Sequence, residues 1–131
     1  MATVNPERGE VGLTLGGNVY PMLPTMGAAN AIESTLGPLA ALVARCVDTS
    51  KLLTIRDMAF IAGECIRAAG KDRNDAMLTG VSADKLAQMI FEEGLINVLQ
   101  PLTEVLSNMV TGGAKKKEQA LTESNASPTA S

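Results

Sequence analysis

The chain is poor in aromatic residues, with no tryptophan, one tyrosine and two phenylalanines among 131 residues. Sheets and barrels draw on aromatic and β-branched side chains, whereas helices pack well through Leu, Ala, Ile and Met. Apolar residues still make up 46% of the chain, so a core can form without many rings. We therefore expect one compact domain built mainly from helices.

Histidine is absent as well. The commonest general base and metal ligand is thereby missing, so we expect no enzymatic activity, no cofactor and no bound metal. Two pairs of neighbouring acids, Glu92 with Glu93 and Asp72 with Asp75, lack the spacing of a calcium or zinc site. The glycines near the amino terminus are not followed by the Lys-Ser/Thr pair of a phosphate-binding loop.

Strong positive charge and long apolar runs are also missing. The net charge is −3, and three of the 11 basic residues are the run 115–117 near the carboxyl terminus. A domain of this charge lacks the basic face that binds nucleic acid. The sequence contains no run of about 18 apolar residues, so no membrane span is predicted. The first residues do not have the pattern of a signal peptide.

Cysteine occurs only twice, at Cys46 and Cys65. Both occupy apolar positions of predicted helices, which favours two free thiols in the core of a protein kept in a reducing compartment. A disulfide between neighbouring helices remains the alternative, because spacing in the sequence does not give the distance between the two residues.

The amino-terminal third predicts a β-hairpin. Val11, Leu13 and Leu15 alternate with small or polar residues, which is typical of a half-buried strand. Residues 16–18, Gly-Gly-Asn, suit a tight turn, and a second strand is predicted over 19–23. An isolated hairpin is marginally stable in water, so helices or a second subunit must cover its apolar side.

Helix-start and helix-stop residues divide the rest of the chain. Helices are predicted from Thr25 to Gly37, from Pro38 to about Val47, from Thr54 to Gly70, from Ser82 to Gly94, and over the apolar run 95–110. In the second of these, Val47 is predicted to face inward and Arg45 to face water. The third is predicted to start with a capping box formed by Thr54 and Asp57. Residues 71–80 have no clear period and predict an exposed loop. Pro101 predicts either a kink or the start of a new helix, and we favour the kink.

These elements predict an α+β fold that is mainly helical, with the amino-terminal hairpin packed on four to five α-helices. We expect a flexible amino terminus over residues 1–8 and a single domain over residues 9–111. Residues 112–131 are rich in Lys, Ser, Thr and Asn and predict a disordered polar tail.

The order of motifs at the amino terminus carries a family resemblance. Arg8-Gly-Glu-Val is followed by an alternating strand, a glycine turn, a short strand with Tyr20, the pair Pro24-Thr25, and a helix that contains Ile32-Glu33 and ends at Gly37. This order resembles the tail assembly chaperones of long-tailed phages, in the branch found in gene transfer agents.

The resemblance implies a non-enzymatic function in the cytoplasm of the host bacterium. Such a chaperone binds the tail tape-measure protein, a long helical rod, and keeps it soluble until tube subunits polymerise around it. Further partners that the resemblance implies are the tail tube protein and other copies of the chain. The alternatives are a structural tail subunit retained in the particle and a small helical regulator, which the acidic composition disfavours.

Partner contact is predicted at the hairpin and at its junction with the first helix. The candidate residues share an apolar side chain and this location: Leu13, Leu15, Met22, Leu23 and Met26. Flexible methionine side chains suit adaptable binding surfaces, and an apolar strand edge can pair with a partner. Core packing is the alternative role for the same side chains, and it is the role that we favour for the methionines; the leucines need cover from the helices or a second subunit.

Overall fold

The computed structural model describes residues 4–48 and 50–112, which form a two-stranded antiparallel sheet and six α-helices. The strands are β1 (Val11–Leu15) and β2 (Asn18–Met22). The helices are α1 (Met26–Leu36), α2 (Leu39–Val47), α3 (Ile55–Arg73), α4 (Ala76–Thr79), α5 (Ala83–Glu93) and α6 (Leu95–Val110). The predicted mainly helical α+β class with an amino-terminal hairpin is confirmed. The predicted tail lies, apart from Gly112, outside the described residues.

The hairpin is closed by a two-residue turn at Gly16 and Gly17, whose φ angles of 59° and 83° favour glycine. The strands pair in the register Leu13 opposite Tyr20. The β1 side chains that alternate toward one face are buried, with β1 packed on α6 and α5 and β2 packed on α3. The helices therefore cover the apolar side of the hairpin within a single chain.

Helix α3 lies at the centre of the fold and contacts α1, α4, α5, α6 and β2. The predicted capping box starts it, since the Thr54 hydroxyl accepts a hydrogen bond from the Asp57 N–H at 3.1 Å and the Asp57 carboxylate accepts one from the Thr54 N–H at 3.5 Å. Both cysteines are buried and free, Cys65 within α3 and Cys46 within α2, so the predicted free core thiols are confirmed.

The prediction that this helix ends at Gly70 is wrong. The helix continues to Arg73 and stops at Asn74, which adopts the left-handed conformation with φ 58°. Gly70 is needed for a close approach, because a Cβ there would lie 2.7 Å from the backbone nitrogen of Thr79. A glycine that permits packing and a glycine that stops a helix look the same in a sequence.

Residues 71–80 are not the predicted exposed loop. They complete α3 and form the short helix α4, whose amino terminus is capped by the Asp75 carboxylate. Leu78 of α4 is buried in the core. Of the two possibilities at Pro101, the start of a new helix does not occur, since α6 runs from Leu95 to Val110 with Pro101 inside it. The kink that we favour stays a prediction.

Candidate functional site

The structure buries four of the five residues predicted to contact a partner. Leu13, Leu15, Met22 and Leu23 are each at most 1% exposed, whereas Met26 at the start of α1 is 78% exposed. The four buried side chains pack within the core, which is the alternative role considered for them. Their contact with a partner stays a prediction, and the surface open to a partner in this conformation lies elsewhere.

The Arg8-Gly-Glu motif joins the start of β1 to the end of α3. Arg8 pairs with Asp72, and Glu10 pairs with Arg73, each at an N···O distance of 2.7 Å. The Glu10 side chain is only 1% exposed and also accepts a hydrogen bond from the Asn5 N–H. We call these two ion pairs the hairpin clasp. A buried carboxylate requires such partners, so the motif has a structural role here.

The neighbouring acids found in the sequence also act within the fold. The Asp75 carboxylate accepts hydrogen bonds from backbone N–H groups of α4, and Glu93 accepts one from the Gly16 N–H in the hairpin turn at 3.0 Å. Glu92 accepts one from the Gln88 side chain. Across residues 4–48 and 50–112, no three acidic or cysteine side chains are grouped in a way that would hold a metal ion.

Large apolar side chains that remain exposed mark the candidate interaction surface. In the described part of the chain, those most exposed are Met26, Val47, Met77, Phe91, Ile96 and Val110. Val47 on α2 and Ile96 on α6, which are 71% and 74% exposed, line the same groove between these helices. The prediction that Val47 faces inward is wrong, because α2 packs through the side that carries Leu42 and Cys46.

This groove has a volume of about 480 Å³. Its lining is apolar at Cys46, Val47, Ile96 and Leu99 and polar farther along α6, at Gln100, Thr103, Glu104, Ser107 and Asn108. Beside it, the outward positions of α2 are small and apolar, with Ala40 and Ala44 exposed. We call the surface formed by Ala40, Ala44, Val47, Ile96 and Leu99, with Glu104 in the groove, the α2–α6 face. A surface helix normally presents polar residues to water, so this face has the character of a contact surface.

Arg45 is the single charged residue of α2, and its guanidinium is directed away from this groove. The group donates to the backbone carbonyls of Lys51 and Leu52 and forms an ion pair with Asp57 at 3.3 Å. Arg45, which is predicted to face water, is therefore partly exposed and held by groups of the same chain. Its contacts join the end of α2 to the start of α3 and leave the α2–α6 face without this cation.

Cys46 lies at the floor of the groove, next to Thr103 of α6. Burial raises the pKa of the Cys46 thiol, although a hydrogen bond with Thr103 partly opposes the shift. Burial also raises the pKa of the fully enclosed Cys65. Both thiols are therefore protonated at neutral pH, and neither has the low pKa of a reactive cysteine.

The chain matches a known protein family. The family model described as "Phage tail tube protein, GTA-gp10" matches residues 8–112. The chain belongs to this family. The match starts at Arg8 of the hairpin clasp and spans both strands and all the helices described above. No curated protein and no solved structure matches the chain.

The family match confirms the predicted relation to phage and gene-transfer-agent tails, while leaving open which tail function the chain performs. A tail tube family is of a structural, non-enzymatic kind. None of the helices described for this tail-family protein is long and apolar enough to cross a membrane.

A second groove of this tail-family protein lies between β2, α4 and α5. Its volume is about 840 Å³, and its apolar lining includes Tyr20, Met77 and Met89. The Tyr20 hydroxyl donates to the Met89 sulfur at 3.8 Å. Arg73 and Lys85 also line it, together with Asp75, so charges of both signs are present. The α2–α6 groove differs in that Glu104 is the single charged residue among the described residues that line it.

Sequence reasoning did not single out Ile96 or the exposed alanines of α2 as candidate residues. One signal was available, because the segment Leu39–Val47 contains a single charged residue and is apolar on nearly every side. A short helix of that kind requires cover on more than one side. The site was predicted at the hairpin because the family resemblance rests on the motifs there.

Proposed function

We propose that this protein is a non-enzymatic chaperone of phage-like tail assembly. It binds the tape-measure protein in the bacterial cytoplasm and keeps that long protein soluble until tube subunits polymerise around it. The observation that supports this proposal is the open α2–α6 face. An apolar groove between two helices is a common docking site for an amphipathic helix.

The dimensions of the groove suit a helical client. Its α6 wall extends from Ile96 to Asn108, which corresponds to about 18 Å at 1.5 Å per residue. That length accommodates about three turns of a partner helix. A tape-measure protein with repeated apolar stripes would offer many such segments, and covering them prevents aggregation during assembly.

A structural tail subunit is the second candidate, and the family description as a tail tube protein favours it. A subunit that polymerises into a tube needs two different surfaces that fit each other on successive copies. The α2–α6 face and the groove beside β2 would then be the two halves of one repeated contact. This candidate implies self-association and contact with other tube subunits.

Two experiments separate the candidates. Co-expression with the tape-measure protein from the same tail gene cluster is expected to yield a soluble complex if the protein is a chaperone. Mass spectrometry of purified particles is expected to find the chain absent or far below the copy number of the tube protein. Many copies per particle, without any gain in tape-measure solubility, would contradict the chaperone and support the structural subunit.

A further inference from the structure

We infer that the α2–α6 face binds an amphipathic helix that carries Lys or Arg residues beside its apolar stripe. This inference rests on the proposed chaperone function and specifies the chemistry of the segment that the protein recognises. Three features support it: the shape of the face, the charge in the groove, and the effect of that charge on competing occupants.

The shape favours a helix. Ala40 and Ala44 lie one turn apart on the exposed side of α2, so a partner backbone can approach closely there. Val47 and Ile96 project from the two helices on either side of the groove. Side chains of an apolar stripe, spaced three or four residues apart, can pack between such projections.

The charge favours a basic partner. Glu104 lies in the groove and forms no ion pair with any residue in the ranges 4–48 and 50–112. Asp48 follows Val47 at the end of α2, and hydrogen bonds from Ser50 lower its pKa, so it is ionised at neutral pH. Lys51 offsets part of this charge at the end of α2, whereas Arg45 is engaged by Asp57.

The same charge disfavours a second copy of this chain in the groove. An isologous contact through the α2–α6 face would bring together two acidic surfaces, each with its own Glu104. Like charges at the centre of an interface oppose association, whereas a Lys or Arg of a client neutralises Glu104. The groove therefore fits a basic client better than it fits itself.

The first test uses the full chain and the full tape-measure protein in co-expression. Val47→Asp and Ile96→Asp are each expected to reduce recovery of the complex at least about tenfold, which corresponds to about 1.4 kcal/mol. Phe91→Asp is the matched control, because Phe91 is a large apolar side chain of similar exposure that lies on α5 and lines neither groove. Circular dichroism and thermal unfolding identify variants that remain folded, and only these are compared.

The second test measures the charge preference. Overlapping peptides of about 20 residues from the tape-measure sequence are titrated with the full chain by fluorescence anisotropy, since the groove takes about three helical turns. Binding is expected for amphipathic peptides of net positive charge. Glu104→Lys is expected to weaken that binding several-fold and to strengthen binding of the same peptides with Glu in place of Lys. Asp84→Lys is the control, because Asp84 is an exposed acid on α5 that lines neither groove.

The outcomes distinguish the inference from the proposed function. If no complex forms with the wild-type chain, the chaperone function is contradicted and the inference falls with it. If the complex forms but survives Val47→Asp and Ile96→Asp, or if Glu104→Lys leaves the peptide preference unchanged, only the inference is overturned. A concentration-dependent dimer that Ile96→Asp abolishes would show that a second copy occupies the face, which also overturns it.

Discussion

The hairpin clasp and the α2–α6 face differ in almost every physical respect. In the clasp, charged side chains are shielded and paired, and the Glu10 carboxylate is enclosed beside Arg73. On the α2–α6 face, large apolar side chains are open to solvent and Glu104 has no ionic partner among the described residues. In the clasp, the charged side chains pair with each other. On the α2–α6 face, Val47, Ile96 and Glu104 are exposed to solvent.

This difference teaches that a recognisable sequence motif can have a structural role. The Arg8-Gly-Glu segment marks the family, and in the structure it fastens the hairpin to α3. The α2–α6 face is composed of common helix residues and has no motif. Exposed apolar side chains, beside an acid with no ionic partner among the described residues, make this face a candidate contact surface although it carries no motif.

The largest difference is expected between truncation of a buried side chain of the hairpin and truncation of an exposed side chain of the α2–α6 face. Leu13→Ala removes a buried side chain and is expected to lower the free energy of unfolding by about 4 kcal/mol, because it leaves a cavity. Ile96→Ala removes an exposed side chain and is expected to change that free energy by less than about 0.5 kcal/mol. Urea unfolding followed by circular dichroism measures both. Similar changes in the free energy of unfolding for the two variants would contradict the difference in burial between Leu13 and Ile96.

Breaking the clasp is expected to be nearly as costly. Glu10→Ala removes the buried partner of Arg73 and the acceptor of the Asn5 N–H, and should lower the free energy of unfolding by about 3 kcal/mol. The control is Asp84→Ala, which breaks an exposed ion pair with Arg56 and should cost less than about 0.5 kcal/mol. An equally small effect at Glu10 would show that the clasp does not hold the hairpin.

A smaller loss is expected where the end of α3 meets α4. Gly70→Ala places a methyl group against the Thr79 backbone, so α4 must shift, and the free energy of unfolding should fall by about 2 kcal/mol. Gly27→Ala is the control, because an added Cβ at Gly27 in α1 would lie 3.9 Å from the Thr25 hydroxyl oxygen, an ordinary contact distance. This substitution should stabilise the helix by about 0.5 kcal/mol. Differential scanning calorimetry compares the two, and stabilisation by both would argue against the close α3–α4 contact.

The reaction rates of the two cysteines test which part of the core is easier to reach from solvent. Burial raises the pKa of both thiols, so both should react more slowly with a disulfide reagent than a free cysteine does, and faster as the pH rises. Cys46 at the groove floor should react about tenfold faster than Cys65, which needs a larger opening of the fold. Absorbance kinetics with single Cys→Ser variants measure the two rates. Faster labelling of Cys65 would contradict the assignment of the open region.

The smallest effect is expected at the exposed end of α2. Val47→Ser should leave the free energy of unfolding within about 0.5 kcal/mol of wild type, because the side chain is mostly in water. It should weaken binding of the tape-measure protein all the same, as measured by pull-down. A clear loss of stability would mean that Val47 is covered within the monomer.

Elements set by neighbouring residues were predicted correctly. The turn at Gly16 and Gly17 and the capping box of Thr54 and Asp57 depend on groups at most three residues apart. The Gly70 stop and the loop over 71–80 were wrong, because their structure depends on packing between α3 and α4. For the candidate site, the alternating pattern identified Leu13 as apolar, while its burial depends on which helices cover the hairpin.

The sequence by itself determined the class of fold, the hairpin, most helix boundaries and the absence of histidine chemistry, because these follow from local backbone preference and composition. Only the tertiary structure decided which apolar side chains are covered. Leu13 and Ile96 are equally apolar, yet the first is 1% exposed and the second 74%. Burial depends on elements that are distant in the chain, such as α6 against β1 and α2 against α6, and a residue's own neighbours do not record those contacts.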